Sequence, residues 1–158
     1  MRSDFFQNTP QSTLNYSYLR VFMGKPKIYQ EEFKFIFGEK ALCVRGAAVT
    51  CVFIEGQIFL LAKNFLQAHS VNYKPRKHNE LRQSLNVLET NKKLQKKELK
   101  AIENFLTKRN EIVHGVFKGM TRTEWEEKNK EVVELGRSII KILDEKLYPL
   151  KKPQSGSN

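Results

Sequence analysis

Leu99 to Gly115 reads LKAIENFLTKRNEIVHG, and this run decides both the fold class and where chemistry is to be sought. Leu99, Ile102, Phe105, Leu106, Ile112 and Val113 recur at the three-to-four-residue spacing of an apolar helical face. Gly115 then acts as a stop, because glycine readily adopts the left-handed conformation that ends helices. The spacing predicts a helix over 92–114, capped by Thr90 or Asn91. Its last turns carry Arg109, Asn110 and His114, in a chain with only three histidines. Asn110 and His114, four apart, share a face. Arg109 lies about 100° round from Asn110, toward Phe105 and Ile102, with a side chain long enough to curl back. An imidazole can move a proton near neutral pH, and a guanidinium can hold phosphate oxygens. The same residues would also make an ordinary helix end, where cations meet the negative end of the helix dipole.

Toward the C-terminus, Thr123 and Glu126 have the spacing of a capping box. It opens a helix carrying Trp125, Val132, Val133, Leu135, Ile139, Ile140, Leu143 and Leu147, which Pro149 ends. Toward the N-terminus, Leu81, Leu85 and Leu88 mark a short helix over 78–88, after a loop containing Pro75. A long apolar helix is expected over 39–69, with Leu42, Gly46, Thr50, Phe53, Gln57, Leu61, Asn64, Phe65 and Ala68 at helical spacing. Gly46, Ala47 and Gly56 are small enough to admit a close neighbour. Arg45, Glu55 and Gln57 interrupt the run too often for it to span a bilayer comfortably, so it reads as a central helix and no membrane partner is expected.

Upstream of residue 39, two aromatic runs flank Gly24-Lys25-Pro26-Lys27. Leu14, Tyr16, Tyr18 and Phe22 precede it; Phe33, Phe35 and Phe37 follow at period two. This fits a β-hairpin, or else a short helix over 29–36. The expected organisation is an irregular or β-hairpin N-terminal appendage (1–38), a mainly α, antiparallel bundle of four to five helices (39–149) and a disordered polar tail (150–158).

Lys and Arg outnumber Asp and Glu by 28 to 17, giving a formal charge of +11. Nucleic acid is the commonest polyanionic partner for such a chain, and an anionic membrane surface is second. Lys92, Lys93, Lys96, Lys97 and Lys100 gather on the first half of the 92–114 helix. They form either a track for an RNA backbone or a solvated face. Glu55, in the middle of an apolar helix, needs a cationic partner: Arg109, or another Arg or Lys at a helix edge. Cys43 and Cys51, about 12 Å apart along a helix, cannot pair within it and read as small buried side chains in a reducing cytoplasm. His69 and His78 have no Asp, Glu or Cys at ligand spacing, so they read as surface residues and neither metal nor cofactor is expected.

The Arg109-Asn110-x-x-x-His114-Gly115 run, set after a long apolar helix and before an amphipathic one, resembles the signature of the HEPN superfamily (higher eukaryotes and prokaryotes nucleotide-binding). Those proteins are helical bundles with an Arg-x4–6-His motif whose Arg is often followed by Asn, Asp or His. The resemblance covers roughly 39–147. It implies a metal-independent endoribonuclease that dimerises so that two motifs form one composite site. His114 would then be the general acid or base, Arg109 would stabilise charge on the phosphorane, and Asn110 would position the phosphate or the histidine. It also implies an RNA substrate, and a toxin or phage-defence setting with an antitoxin or other protein partner. Toxins paired with nucleotidyltransferase antitoxins commonly carry Tyr two residues after the His; here Val116 stands there. Some members of the superfamily only bind RNA or nucleotide, or serve as protein–protein interaction domains.

Overall fold

The computed structural model describes residues 25–74, 79–115 and 118–149. They form five α-helices: α1 (Lys27–Ile36), α2 (Val44–Ala68), α3 (Glu80–Thr90), α4 (Lys96–Gly115) and α5 (Arg122–Leu147). A single 3-10 turn, Glu39–Ala41, links α1 to α2. Among the described residues there is no strand.

The second aromatic run is therefore helix α1, and the hairpin expectation gives way to the short-helix one. Tyr29, Phe33, Ile36 and Phe37 also fall at helical spacing, and burying Phe33 and Ile36 in the core satisfies that pattern. Phe35, which supplied the apparent period of two, lies half-buried beneath the Arg45 guanidinium, 5.1 Å from its ring centre. The core thus begins ahead of the boundary expected at residue 39. The first aromatic run, residues 1–24 generally, Val116 and the 150–158 tail lie outside the described residues.

α5 is the axle of the bundle. α2 and α4 both pack along it, and α3 packs on α2. Lys108–Glu131 (3.3 Å), Lys128–Glu111 (3.1 Å) and Lys146–Glu98 (3.1 Å) fix α4 and α5 as antiparallel neighbours. Gly136 lets α5 sit close to α2 and α4. A Cβ there would collide with Thr50 Cγ2 of α2 and press on Phe105 of α4. Gly56, expected to serve this purpose, faces open space, and Gly46 instead admits the Ala41 carbonyl of the 3-10 turn. Gly46, Thr50 and Gln57 are buried as expected, joined by Ile54, Ile58 and Ala62, while Asn64 and Ala68 at the end of the helix are exposed. α2 is long and apolar enough to cross a membrane by composition; α1, α3 and α5 pack against it here and leave Val44 and Val52 exposed. Cys43 is exposed just before α2 and Cys51 is half-buried, contrary to the expectation of two buried thiols.

Helix ends explain the remaining shifts of boundary. Ser70 and Lys92 both take left-handed φ, at 60° and 53°. Each closes a Schellman motif: Val71 and Lys93 N–H groups donate to Leu66 and Leu88 carbonyls at 2.9 and 2.8 Å. α3 therefore runs to Thr90, and Lys92 and Lys93 sit in a turn rather than on α4. At the start of α4, Glu98 reaches back to accept from the Gln95 backbone N–H at 2.7 Å. The capping box of α5 is Thr121–Glu124, two residues before the expected Thr123–Glu126; Glu126 is instead paired with Arg122 at 2.8 Å.

A buried polar network joins the first described residues to the end of α5. Lys25 Nζ donates to both Asp144 carboxylate oxygens at 2.8 Å, and Tyr29 OH donates to Oδ1 at 2.7 Å. Gln57 Nε2 donates to Tyr29 OH at 2.7 Å. Arg137 of α5 donates to the Ile36 and Gly38 carbonyls, both at 2.8 Å, and so satisfies the open end of α1.

Candidate active site

Arg109, Asn110 and His114 occupy the last two turns of α4, where Asn110 and His114 are exposed. Arg109 is turned toward α2, and its Nη2 lies 3.1 Å from Glu55 Oε1. The Glu55–Arg109 pair expected from sequence is thus formed, with the two side chains 33% and 37% exposed. This pair is half in water, so its worth lies in orienting the guanidinium more than in stability. Arg109 Nη1 also reaches Asn110 Oδ1 at 3.5 Å, a long contact that leaves Asn110 able to take another partner. Burial pushes the Cys51 thiol up, while the charge of Arg109, which also hydrogen-bonds it, pulls the other way. Glu55 of α2 thus holds the Arg109 guanidinium of α4, and Asn110 lies at its other edge.

The surround is apolar and open. Val52 is 70% exposed on α2, Val113 54% exposed on α4, and Gly56 faces open space. Val113 was expected in the core. One turn after Arg109 on the same face, it lies beyond the reach of any described neighbour that would cover it.

On the opposite flank of α4's last turn, a pocket of about 360 Å³ opens toward the start of α5, lined by Glu111, Gly115, Met120, Glu124, Lys118 and Lys128 among others. Two carboxylates and two amines cancel there. Glu111 is held by Lys128 at 3.1 Å, and this bond, helped by the Lys108 charge, lowers its carboxyl below the usual range.

The five lysines divide between two elements. Lys96, Lys97 and Lys100 lie on α4; Lys92 and Lys93 lie in the preceding turn. All five are exposed, and none has a carboxylate partner among the described residues. The acid between them, Glu98, is buried and bound to its own helix start and to Lys146 at 3.1 Å. Negative charge is turned inward and positive charge outward. Among the described residues, no group of three or more His, Cys, Asp or Glu is gathered as a metal site would require.

The bundle and its Arg-x4-His helix end are those of the HEPN superfamily. Within it, the family model RiboL-PSP-HEPN matches residues 53–145, more than half of the chain, and the chain belongs to that family. The match takes in Glu55, the five lysines and Arg109 through His114. No curated protein and no solved structure matches the chain.

Proposed function

We propose that the chain is a metal-independent endoribonuclease that works as a homodimer. The observation that carries this reading is the end of α4: an exposed imidazole and amide one turn apart, the amide 3.5 Å from a guanidinium held by Glu55. A phosphodiester flanked by a 2′-OH supplies its own nucleophile, so the protein need only move two protons and stabilise charge. His114 of one copy takes the 2′-OH proton, and the oxygen attacks the adjacent phosphorus. Arg109 donates to the non-bridging oxygens as negative charge develops, and Asn110 aligns the phosphate. His114 of the second copy gives a proton to the departing 5′-oxygen. The products are a 2′,3′-cyclic phosphate and a 5′-hydroxyl end.

The motif holds one histidine per chain, so separate acid and base histidines call for a second copy, and a twofold axis supplies it. Val52, Gly56 and Val113 around Arg109 are the apolar surface on which that copy would pack. The outward-facing lysines Lys92, Lys93, Lys96, Lys97 and Lys100 hold the RNA backbone. An antitoxin or other protein partner would hold such a nuclease in check, in a toxin or phage-defence setting. Expression of the unaltered chain should then arrest growth, and the His114→Ala chain should not.

Purified protein incubated with labelled RNA in excess EDTA tests the reading. Cleavage that persists in EDTA and is lost in His114→Ala is expected. Intact RNA with a salt-sensitive gel shift would replace the nuclease by an RNA-binding module, and neither cleavage nor binding would leave a protein–protein interaction domain.

A further inference from the structure

We propose that Phe65, His69 and Lys93 form a base-stacking subsite for single-stranded RNA, away from the cleaved bond; this rests on the RNA-cleaving reading above. Phe65 and His69 are one turn apart at the end of α2, with ring centroids 4.4 Å apart. His69 Nδ1 donates to the Phe65 carbonyl at 2.8 Å, which fixes the imidazole beside the phenyl ring and leaves Nε2 toward solvent. Lys93, from the turn before α4, sets its ammonium 4.6 Å from the Phe65 ring centre.

That ammonium has no carboxylate within salt-bridge distance among the described residues, and an aromatic face is the anion substitute it has found. A phosphate would be a better partner. When an RNA strand arrives, Lys93 moves from ring to phosphate, and the vacated face of Phe65 receives a base. A half-buried phenyl ring beside an exposed imidazole, with the Lys93 ammonium over it, has the composition of a platform on which single strands stack without regard to sequence. Duplex RNA, whose bases are already stacked, has nothing to offer it.

Its place along the helix sets the register. Phe65 is ten positions after Glu55, roughly 15 Å along α2. Since Glu55 holds Arg109, the stacked base lies about that far from the scissile phosphate. At roughly 3.4 Å per nucleotide this is about four nucleotides, and fewer in an extended strand.

The test uses the full chain carrying His114→Ala, so that RNA stays intact, and a short single-stranded RNA bearing one abasic position at a time. An abasic nucleotide a few positions to one side of the cleaved bond should weaken binding roughly tenfold. Phe65→Leu, which keeps an apolar side chain on α2, should cause the same loss with the complete RNA and no further loss with that abasic RNA. Binding of a blunt RNA duplex should be unchanged by Phe65→Leu. The inference is overturned if the abasic scan is flat, or if Phe65→Leu weakens complete, abasic and duplex RNA alike. Those results with RNA cleavage intact in the unaltered chain would remove the subsite and leave the nuclease. Absence of both cleavage and binding in the unaltered chain would remove both.

Discussion

Arg109 carries two relationships that pull in different directions. In the proposed reaction it meets a phosphate, yet it is already held by Glu55 at 3.1 Å. A guanidinium has five donors in a rigid fork, so one edge can remain on the carboxylate while the other faces substrate. Glu55 is thus a positioning residue, and neutralising it tests that role. Glu55→Gln keeps an acceptor for Arg109 but removes the charge that fixes it. We expect kcat on RNA to fall about tenfold with KM nearly unchanged, because a misaligned charge stabiliser costs mainly in the transition state. A selective rise in KM would make Glu55 a substrate-binding group instead. At this scale the sequence was informative where geometry is local: the shared face of Asn110 and His114 follows from helix periodicity. Val113 fits the apolar spacing of α4 yet is exposed, because its burial depends on which neighbouring helix covers it, which no local pattern records.

Among the elements, α4 and α5 are legible because their apolar faces are long. The errors fall where two local patterns compete. TRTEWE holds two overlapping Thr-x-x-Glu sequences, and the earlier one forms the cap. Thr121→Ala should therefore cost about 1 kcal/mol, and Thr123→Ala no more than about 0.5 kcal/mol, read from urea unfolding midpoints. Ser70 and Lys92 end their helices in conformations usually assigned to glycine, so the α3–α4 boundary carried no sequence mark. Gly136 escaped notice because a glycine inside an amphipathic helix looks like a weakness until its neighbours are known. Gly136→Ala should destabilise by roughly 1–3 kcal/mol, since the added methyl meets Thr50 Cγ2. Thr50→Ser removes that methyl, so the double variant should recover part of the loss.

Across the whole molecule, the core is tied at one end by the Lys25–Asp144–Tyr29 network, which links residues 119 positions apart. No periodicity announces such a pairing; only the fold brings its members together. Burial, and then the Asp144 carboxylate it hydrogen-bonds, push the Tyr29 hydroxyl well above its ordinary value. The folded chain therefore favours the neutral phenol. Its contribution is complete below the unfolded value near 10 and is lost as pH rises beyond it, by at most about 1.4 kcal/mol per pH unit. Tyr148, raised by its own burial, acts in the same sense. Urea midpoints should hold steady to about pH 9.5 and then fall, and Tyr29→Phe should flatten that fall while lowering the midpoint at neutral pH. An unchanged alkaline slope in Tyr29→Phe would assign the loss to other groups.

In the proposed reaction the His114 side chains of two copies move two protons around a phosphate attacked by its neighbouring 2′-OH. The chemistry of the cut ends tests it most directly. RNA digested in EDTA, with fragments weighed by mass spectrometry, should show 2′,3′-cyclic phosphate and 5′-hydroxyl termini. A single 2′-deoxy substitution at the cleaved nucleotide should abolish the cut. Fragments ending in 5′-phosphate and 3′-hydroxyl, cleavage at the deoxy position, or undiminished cleavage by His114→Ala would contradict the account.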